Sequence, residues 1–260
     1  MIVGLLVKMA MTAAVVIIVT LLVGRLGPRI GGIVAGTPIV LGPAFFFLVR
    51  EQTDAFVAHA AVSTLHALAS SLLFLMCFVA VAGRLDAIAS VAAGVAMWLV
   101  AALVFVWMPA GLLPALVLYT AVFALALWLE RRLRLQAERP DVHTSWHDLL
   151  ARGITAGMLV GIATTIGAHY GPVVSGTLTG FPVGFVVISL TLHQRYGAPV
   201  ARSTLVAAQR GMLSLVMFAA AITALTPVLG GRAAFLPALV ASLLVSALLA
   251  GVAWYREVPG

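Results

Sequence analysis

The chain has very little charge. Of its 260 residues 9% are Asp, Glu, Lys or Arg and 63% are hydrophobic, whereas soluble domains carry about 25% charged residues. That balance excludes a water-soluble fold of this size. Cysteine is nearly absent: Cys77 is the single one, inside an apolar run, so an intramolecular disulfide is excluded. Acidic residues number eight. Glu51, Asp54, Asp86 and Asp148 fall in loops or at the ends of apolar runs, and Glu130 closes one. So few carboxylates within the runs weaken a sodium or metal-cation transporter, whose sites use carboxylate oxygens. They equally weaken an acid-based proton relay. The sequence has no Walker loop, GxSxG or dinucleotide fingerprint, so no ATP hydrolysis, enzyme activity or cofactor is expected. "HTSWH" spaces His143 and His147 four apart beside Asp141 and Asp148, but it lacks the Glu of HExxH. Ser145 with Asp148 reads as a capping box opening a helix, and no metal site is expected. The net charge of +7 comes with no nucleic-acid motif; in a membrane protein it reports basic cytoplasmic loops.

What the chain does contain is apolar runs long enough to cross a bilayer. Nine are read, over 5–24, 30–49, 56–82, 88–107, 111–129, 150–169, 172–192, 203–228 and 233–254. Residues 1–24 run into the next segment without a small-residue cleavage region and are read as the first span, not a signal peptide. With the basic loop "ERRLRLQAERPD" in the cytoplasm, nine spans place the N-terminus outside and the C-terminus inside. Eleven arginines then lie inside (Arg25, Arg29, Arg84, Arg131, Arg132, Arg134, Arg139, Arg152, Arg195, Arg202 and Arg256) and two outside, Arg50 and Arg232.

One segment occurs twice. "GPRIGGIVAGTP" begins at Gly27 and "GPVVSGTLTGFP" at Gly171, 144 positions on, with Gly, Pro, Gly, Gly and Pro in register. At the same offset Lys8 matches Arg152, Ser70 matches Ser214, Phe74 matches Phe218, and His66 faces Arg210. Spans one to four correspond to six to nine, and the fifth has no counterpart. An odd linking span inverts the second half relative to the first, an arrangement characteristic of secondary transporters with a midplane site. The expected organisation is an N-terminal four-helix repeat over 1–108, a linking helix and basic loop over 109–144, and an inverted four-helix repeat over 145–260. Pro38 and Pro182 should break or bend their helices, while Pro28 and Pro172 suit a first turn. Gly32 with Gly36, and Gly176 with Gly180, are GxxxG pairs that permit close backbone approach. Spans two and seven are expected to cross there, with Thr37, Thr177 and Thr179 beside the breaks. Such pairs also serve pure packing.

Ionisable groups within spans are candidate contacts for a solute. Arg210, beside Gln209, suits a carboxylate or phosphate. His66 shares a helical face with His59 and Ser63 and can titrate near neutral pH. The alternatives are that Arg210 snorkels and that the histidines only pack. Lys8 and Arg152 are expected to snorkel. Trp98, Trp107, Trp128, Tyr119, Trp254 and Tyr255 read as interfacial anchors.

The stretch "GPRIGGIVAGTPIVLGPAFFFLVREQTDAFVAHAAVSTLHALASSLLF", from Gly27 to Phe74, resembles the core of the small GlpM-like membrane proteins of bacteria. The chain looks like two such four-span units fused through an extra span. The resemblance implies a bacterial inner-membrane location and a duplicated origin, and supplies neither substrate nor catalytic residue. The sequence thus predicts an all-α polytopic membrane protein of about nine spans. It is read as a secondary transporter of a small, anionic or amphiphilic solute, with His66, Arg210, Gln209, Thr37 and Thr179 as contacts. A scaffold or assembly factor, or a lipid flippase, are the competing readings. Membrane lipid and a small or lipid-like substrate are the expected partners, and nucleic acid is not one.

Overall fold

The computed structural model describes residues 2–24, 37–132 and 146–255, and these contain helices and no strand. In chain order the helices are α1 (Ile2–Gly24), α2 (Leu41–Glu51), α3 (Asp54–Val81), α4 (Ala87–Phe105), α5 (Leu112–Arg132), α6 (Trp146–Tyr170), α7 (Pro172–Thr179), α8 (Val183–Leu229) and α9 (Gly231–Tyr255). Local chemistry sets several of these starts. The Thr53 hydroxyl accepts from the Phe56 N–H at 3.3 Å and caps α3, and the Asp86 carboxylate accepts from the Ala89 N–H at 2.8 Å and caps α4. Pro172 opens α7 behind Gly171, whose φ of +94° suits glycine. Gly197, at φ +84° and ψ 174°, divides α8 into two arms, 183–196 and 198–229.

Five helical stretches among the described residues are long and apolar enough to cross a membrane: Asp54–Val81, Ala87–Phe105, Leu112–Arg132, Pro172–Leu229 and Gly231–Val252. α1 and α6 contain shorter apolar stretches, Gly4–Ile17 and Leu149–Thr165. α2 has 11 residues, a length of about 16 Å at 1.5 Å per residue, roughly half a hydrocarbon core. The expected second span begins among residues 25–36, outside the described residues.

α3 occupies the centre. It is packed on by α8, α4, α7 and α5, and Phe74, Phe78, Leu65, Leu72 and Leu75 along it are fully buried. Apolar side chains on all sides of one helix require this placement.

Two extensively packed helix pairs share a geometry. Along α6, Gly153 faces Ile17, Gly157 faces Met9, and Gly161 faces Met9 and Leu5 of α1. Residue numbers rise on one helix as they fall on the other, so α1 and α6 are antiparallel. A methyl group at Gly157 would lie 2.5 Å from the Met9 carbonyl oxygen, so glycine alone permits this approach. α3 and the second arm of α8 are antiparallel as well. Near one end Arg202 Nε donates to the Val79 carbonyl at 2.8 Å. At the other, Asp54 at the start of α3 accepts from the Gly231 N–H at 2.7 Å, just past the end of α8. The sequence offset recurs in the helix starts: α3 starts at Asp54 and the second arm of α8 at residue 198, and α4 starts at Ala87 and α9 at Gly231, 144 positions apart in both cases.

Three sequence expectations change here. Lys8 does not snorkel: it forms an ion pair with Glu51 across α1 and α2 and lies over the Phe47 ring. A lysine brought near an apolar ring is held there by a carboxylate. Trp98 and Tyr119 are not interfacial: both are buried in the core. Both lie near the middle of their apolar runs, 88–107 and 111–129, where an aromatic ring meets the core and not the interface, and Trp98 reaches Ser71 of α3. Trp107 and Trp128 are exposed, and nothing is described of the Trp254 and Tyr255 side chains.

Glycine contacts give a direct test. Gly157→Ala and Gly176→Ala place a methyl group 2.5 and 2.1 Å from a backbone oxygen of a neighbouring helix, whereas Gly184→Ala meets nothing within 4 Å. Overpacking of this kind costs about 1–3 kcal/mol. In detergent, thermal unfolding should shift down for the first two variants and stay unchanged or rise for Gly184→Ala; equal effects for all three would contradict the packing.

Candidate functional site

The second copy of the repeated segment breaks where its prolines suggest a break should fall. α7 stops at Thr179, α8 restarts at Val183, and Gly180, Phe181 and Pro182 lie between. Pro182 has no N–H to continue the ladder, so carbonyls near the break need other donors. The Gly176 and Leu178 carbonyls keep backbone donors, the Gly180 N–H at 3.0 Å and the Phe181 N–H at 3.1 Å, and the neighbouring helix adds side-chain donors. Thr64 of α3 donates to the Gly176 carbonyl at 3.0 Å, and Ser71 donates to the Gly180 carbonyl at 2.8 Å. Each hydroxyl also lies within reach of its own helix, Thr64 at 2.8 Å from the Ala60 carbonyl and Ser71 at 2.9 Å from that of Ala67, so one proton is shared between two acceptors. Trp98 Nε1 completes the set by donating to Ser71 Oγ at 3.1 Å. Its ring meets Phe181 edge-on at 4.8 Å.

This seam needs glycine. A Cβ at Gly176 would sit 2.1 Å from the Ala60 oxygen, and one at Gly180 would sit 2.5 Å from the Ala67 methyl. The GxxxG pair of α7 therefore faces α3. Its sequence counterpart, with Pro28, Gly32 and Gly36, lies outside the described residues. Ile39 and Val40, in the turn just past Pro38, belong to the same apolar cluster as Phe181 and Val183, on either side of Pro182. Thr37 lies in the bend ahead of α2, its carbonyl accepting from the Ile39 N–H at 2.7 Å. Thr179 is buried and donates to the Ser175 carbonyl at 2.8 Å.

Beside the seam α3 forms the floor of a cleft. His59, Val62, Ser63, His66 and Ala67 make the floor; Ala102 and Val106 of the α4 end make one wall and Val173 and Thr177 of α7 the other. Met108 and Ala110 stand at the rim, and the cleft encloses about 490 Å³ counted to its open mouth. His59 is exposed, and its Nδ1 lies 2.8 Å from the Ala55 carbonyl. Ser63 donates to the His59 carbonyl at 3.1 Å. His66 lies a further turn down, about 18 Å from the start of α3 at 1.5 Å per residue. It is only 8% exposed, and its Nε2 has no hydrogen-bond partner among the described residues. A buried polar atom left without a partner is costly and points to a missing one.

Arg210 is not in this cleft. It is half exposed and chelated by Glu130 at the end of α5, with Nη2 at 2.8 and 2.9 Å from the two carboxylate oxygens. Gln209, its neighbour, is buried with Oε1 unpartnered. The structure thus brings His59, Ser63, His66 and Thr177 together and leaves Arg210 on another flank. The counterpart of Ser70, Ser214, instead joins a buried hydroxyl cluster, Ser214 with Ser242 at 2.9 Å and with Ser246 at 2.8 Å. Among the described residues no group of His, Cys, Asp or Glu is arranged to hold a metal.

Comparison with known proteins adds nothing to this geometry: no family model, curated protein or solved structure matches the chain.

Ser71 carries the seam, so its removal should be felt twice. Ser71→Ala leaves both the Gly180 carbonyl and the Trp98 Nε1 without this partner, at a cost of about 1–3 kcal/mol for each buried group. Thermal unfolding should move down, and the tryptophan emission of the folded protein should change. Ser203→Ala, whose hydroxyl donates within its own helix at 3.0 Å to the Val200 carbonyl, should leave that emission as it is.

Proposed function

We propose that the protein is a secondary membrane carrier that moves a small solute by alternating access, without ATP, between two inverted four-helix repeats. In this reading residues 1–108 and 145–260 are the repeats, and 109–144 form the linking helix and basic loop. The nine spans run with the N-terminus outside and the C-terminus in the cytoplasm of a bacterial inner membrane.

The observation that carries the reading is the antiparallel packing of helices that correspond in the repeat. α1 lies on α6 and α3 on the second arm of α8, each running opposite to its counterpart. A two-fold axis crossing both pairs accounts for this, and such an axis in the membrane plane defines inverted-repeat carriers. Two further features support it. The break at 180–182 places irregular backbone against protein, where its carbonyls are satisfied. Next to it lies a cleft with an unpartnered imidazole about 18 Å along a membrane-length helix. In this orientation the cleft opens outward, since α3 starts and α4 ends on the outer side. The substrate contacts of this state are His59, Ser63, His66 and Thr177. Arg210 and Glu130 belong to the inner half, where breaking their ion pair would accompany the inward-open state.

Thiol accessibility tests the reading. In a Cys77→Ala background, single cysteines at Ser63, His66 and Thr177 should react with a membrane-impermeant maleimide from the outer side of sealed vesicles. One at Gln209 should react from the inner side, and a condition that raises labelling at one set should lower it at the other. Protection of all four from both sides in every condition would sink the carrier and favour a sealed scaffold.

A further inference from the structure

The cleft floored by His59, Ser63 and His66 has a chemistry that selects among solutes. No Lys, Arg, Asp or Glu lines it, and its only ionisable groups are the imidazoles of His59 and His66. The guanidinium that the sequence offers for an anion, that of Arg210, is bound to Glu130 elsewhere. An ionised solute would therefore meet no permanent counter-charge there, which is costly. What the cleft does offer is hydrogen bonding on its floor and hydrocarbon on its walls. The floor has a buried, unpartnered Nε2 on His66, with Ser63 above it. The apolar surface comes from Val62 and Ala67 of the floor and from Ala102, Val106 and Val173 of the walls, where Thr177 is the one polar residue.

The walls also fix the route in. The surface of α4 next to the cleft is strongly exposed and apolar, with Leu99, Leu103 and Val104 facing outward and Trp107 just beyond. On the other side Val173 and Val174 of α7 are exposed as well. α4 and α7 both pack on α3, so the cleft is a slot between two helices whose free faces are apolar. In a bilayer those faces meet lipid tails, and the slot between them opens sideways to the bilayer as well as upward at Met108 and Ala110.

We infer that the cleft takes an uncharged amphiphile, a hydrocarbon body with one hydroxyl- or amide-type head group, admitted laterally from the membrane leaflet. The head group fills the vacant hydrogen bond of His66 Nε2. The body lies along the Ala102, Val106 and Val173 walls. This rests on the carrier reading for the fate of the ligand but not for its binding, which the cleft supports whether or not the protein transports.

The test uses the full chain in lipid nanodiscs and three photoreactive probes with the same diazirine-bearing chain: a long-chain alcohol, a sulfonate and a quaternary ammonium. The alcohol should label residues of the 102–110 and 173–177 segments, located by peptide mass spectrometry, at least ~10-fold more than either charged probe. A lost buried hydrogen bond is worth about one such factor, so His66→Phe should cut alcohol labelling there ~10-fold while His66→Gln retains it. Ala102→Trp, which fills the slot, should abolish it; size-exclusion profiles show whether each variant is folded. Stronger labelling by the sulfonate would overturn the inference and restore an anionic solute. Equal labelling by all three, unaffected by His66→Phe and Ala102→Trp in folded protein, would overturn it as non-specific lipid contact. Cleft labelling that meets these expectations, with the four cysteines of the accessibility experiment protected from both sides, would retain the ligand class and discard the carrier.

Discussion

The structure depends on a broken helix having its backbone satisfied inside protein. In an apolar surround a carbonyl without a donor is costly, so a chain can stop at Thr179 and restart at Val183 only where another element supplies hydrogen bonds. Thr64 and Ser71 on α3 do so, reaching the Gly176 and Gly180 carbonyls. Hydroxyls can reach those oxygens because α7 carries glycine at both contact points, and a single methyl group at either would collide with α3. Break, glycines and hydroxyls are three parts of one requirement, and the cleft is the space left beside them.

That requirement also orders the rest of the bundle. α3 must be central because it serves α7, α4 and the second arm of α8 at once. α1 and α6 pair through Gly153, Gly157 and Gly161 at a similarly close distance. Charge is kept at the ends or answered on the spot: Lys8 by Glu51, Arg210 by Glu130, and the start of α9 by Asp54. With so few acids in the chain, three of them are committed to these contacts.

The cleft chemistry follows from what this arrangement leaves over. Its residues are those of α3 that face neither α8 nor the seam, and they carry imidazole and hydroxyl but no charge. Placing His66 opposite Arg210 in the repeat suggests one shared site with a cation in it. The fold separates them. A shared place in a sequence repeat fixes a residue's position along its helix, not the direction its side chain takes. His66 turns toward α4 and α7, and Arg210 turns toward α5, a helix outside the repeat.

Much was legible in the residues themselves. Composition and apolar runs determined an all-helical chain with helices long and apolar enough to cross a membrane, and Pro182 marked the position of a break. The seven- and three-residue spacings put His59, Ser63 and His66 on one face, because helical geometry is local. What pairs with what was decided only in three dimensions. Thr64 and Ser71 read as ordinary helix hydroxyls that bond their own carbonyls, and nothing in sequence announces acceptors more than 100 positions away. Trp98 and Tyr119 read as interfacial anchors by residue type, although both stand mid-run; which way each ring points around the bundle is not visible in sequence. Periodicity encodes which residues share a face; the partner of that face is set by packing between segments far apart in the chain, which a single sequence does not record.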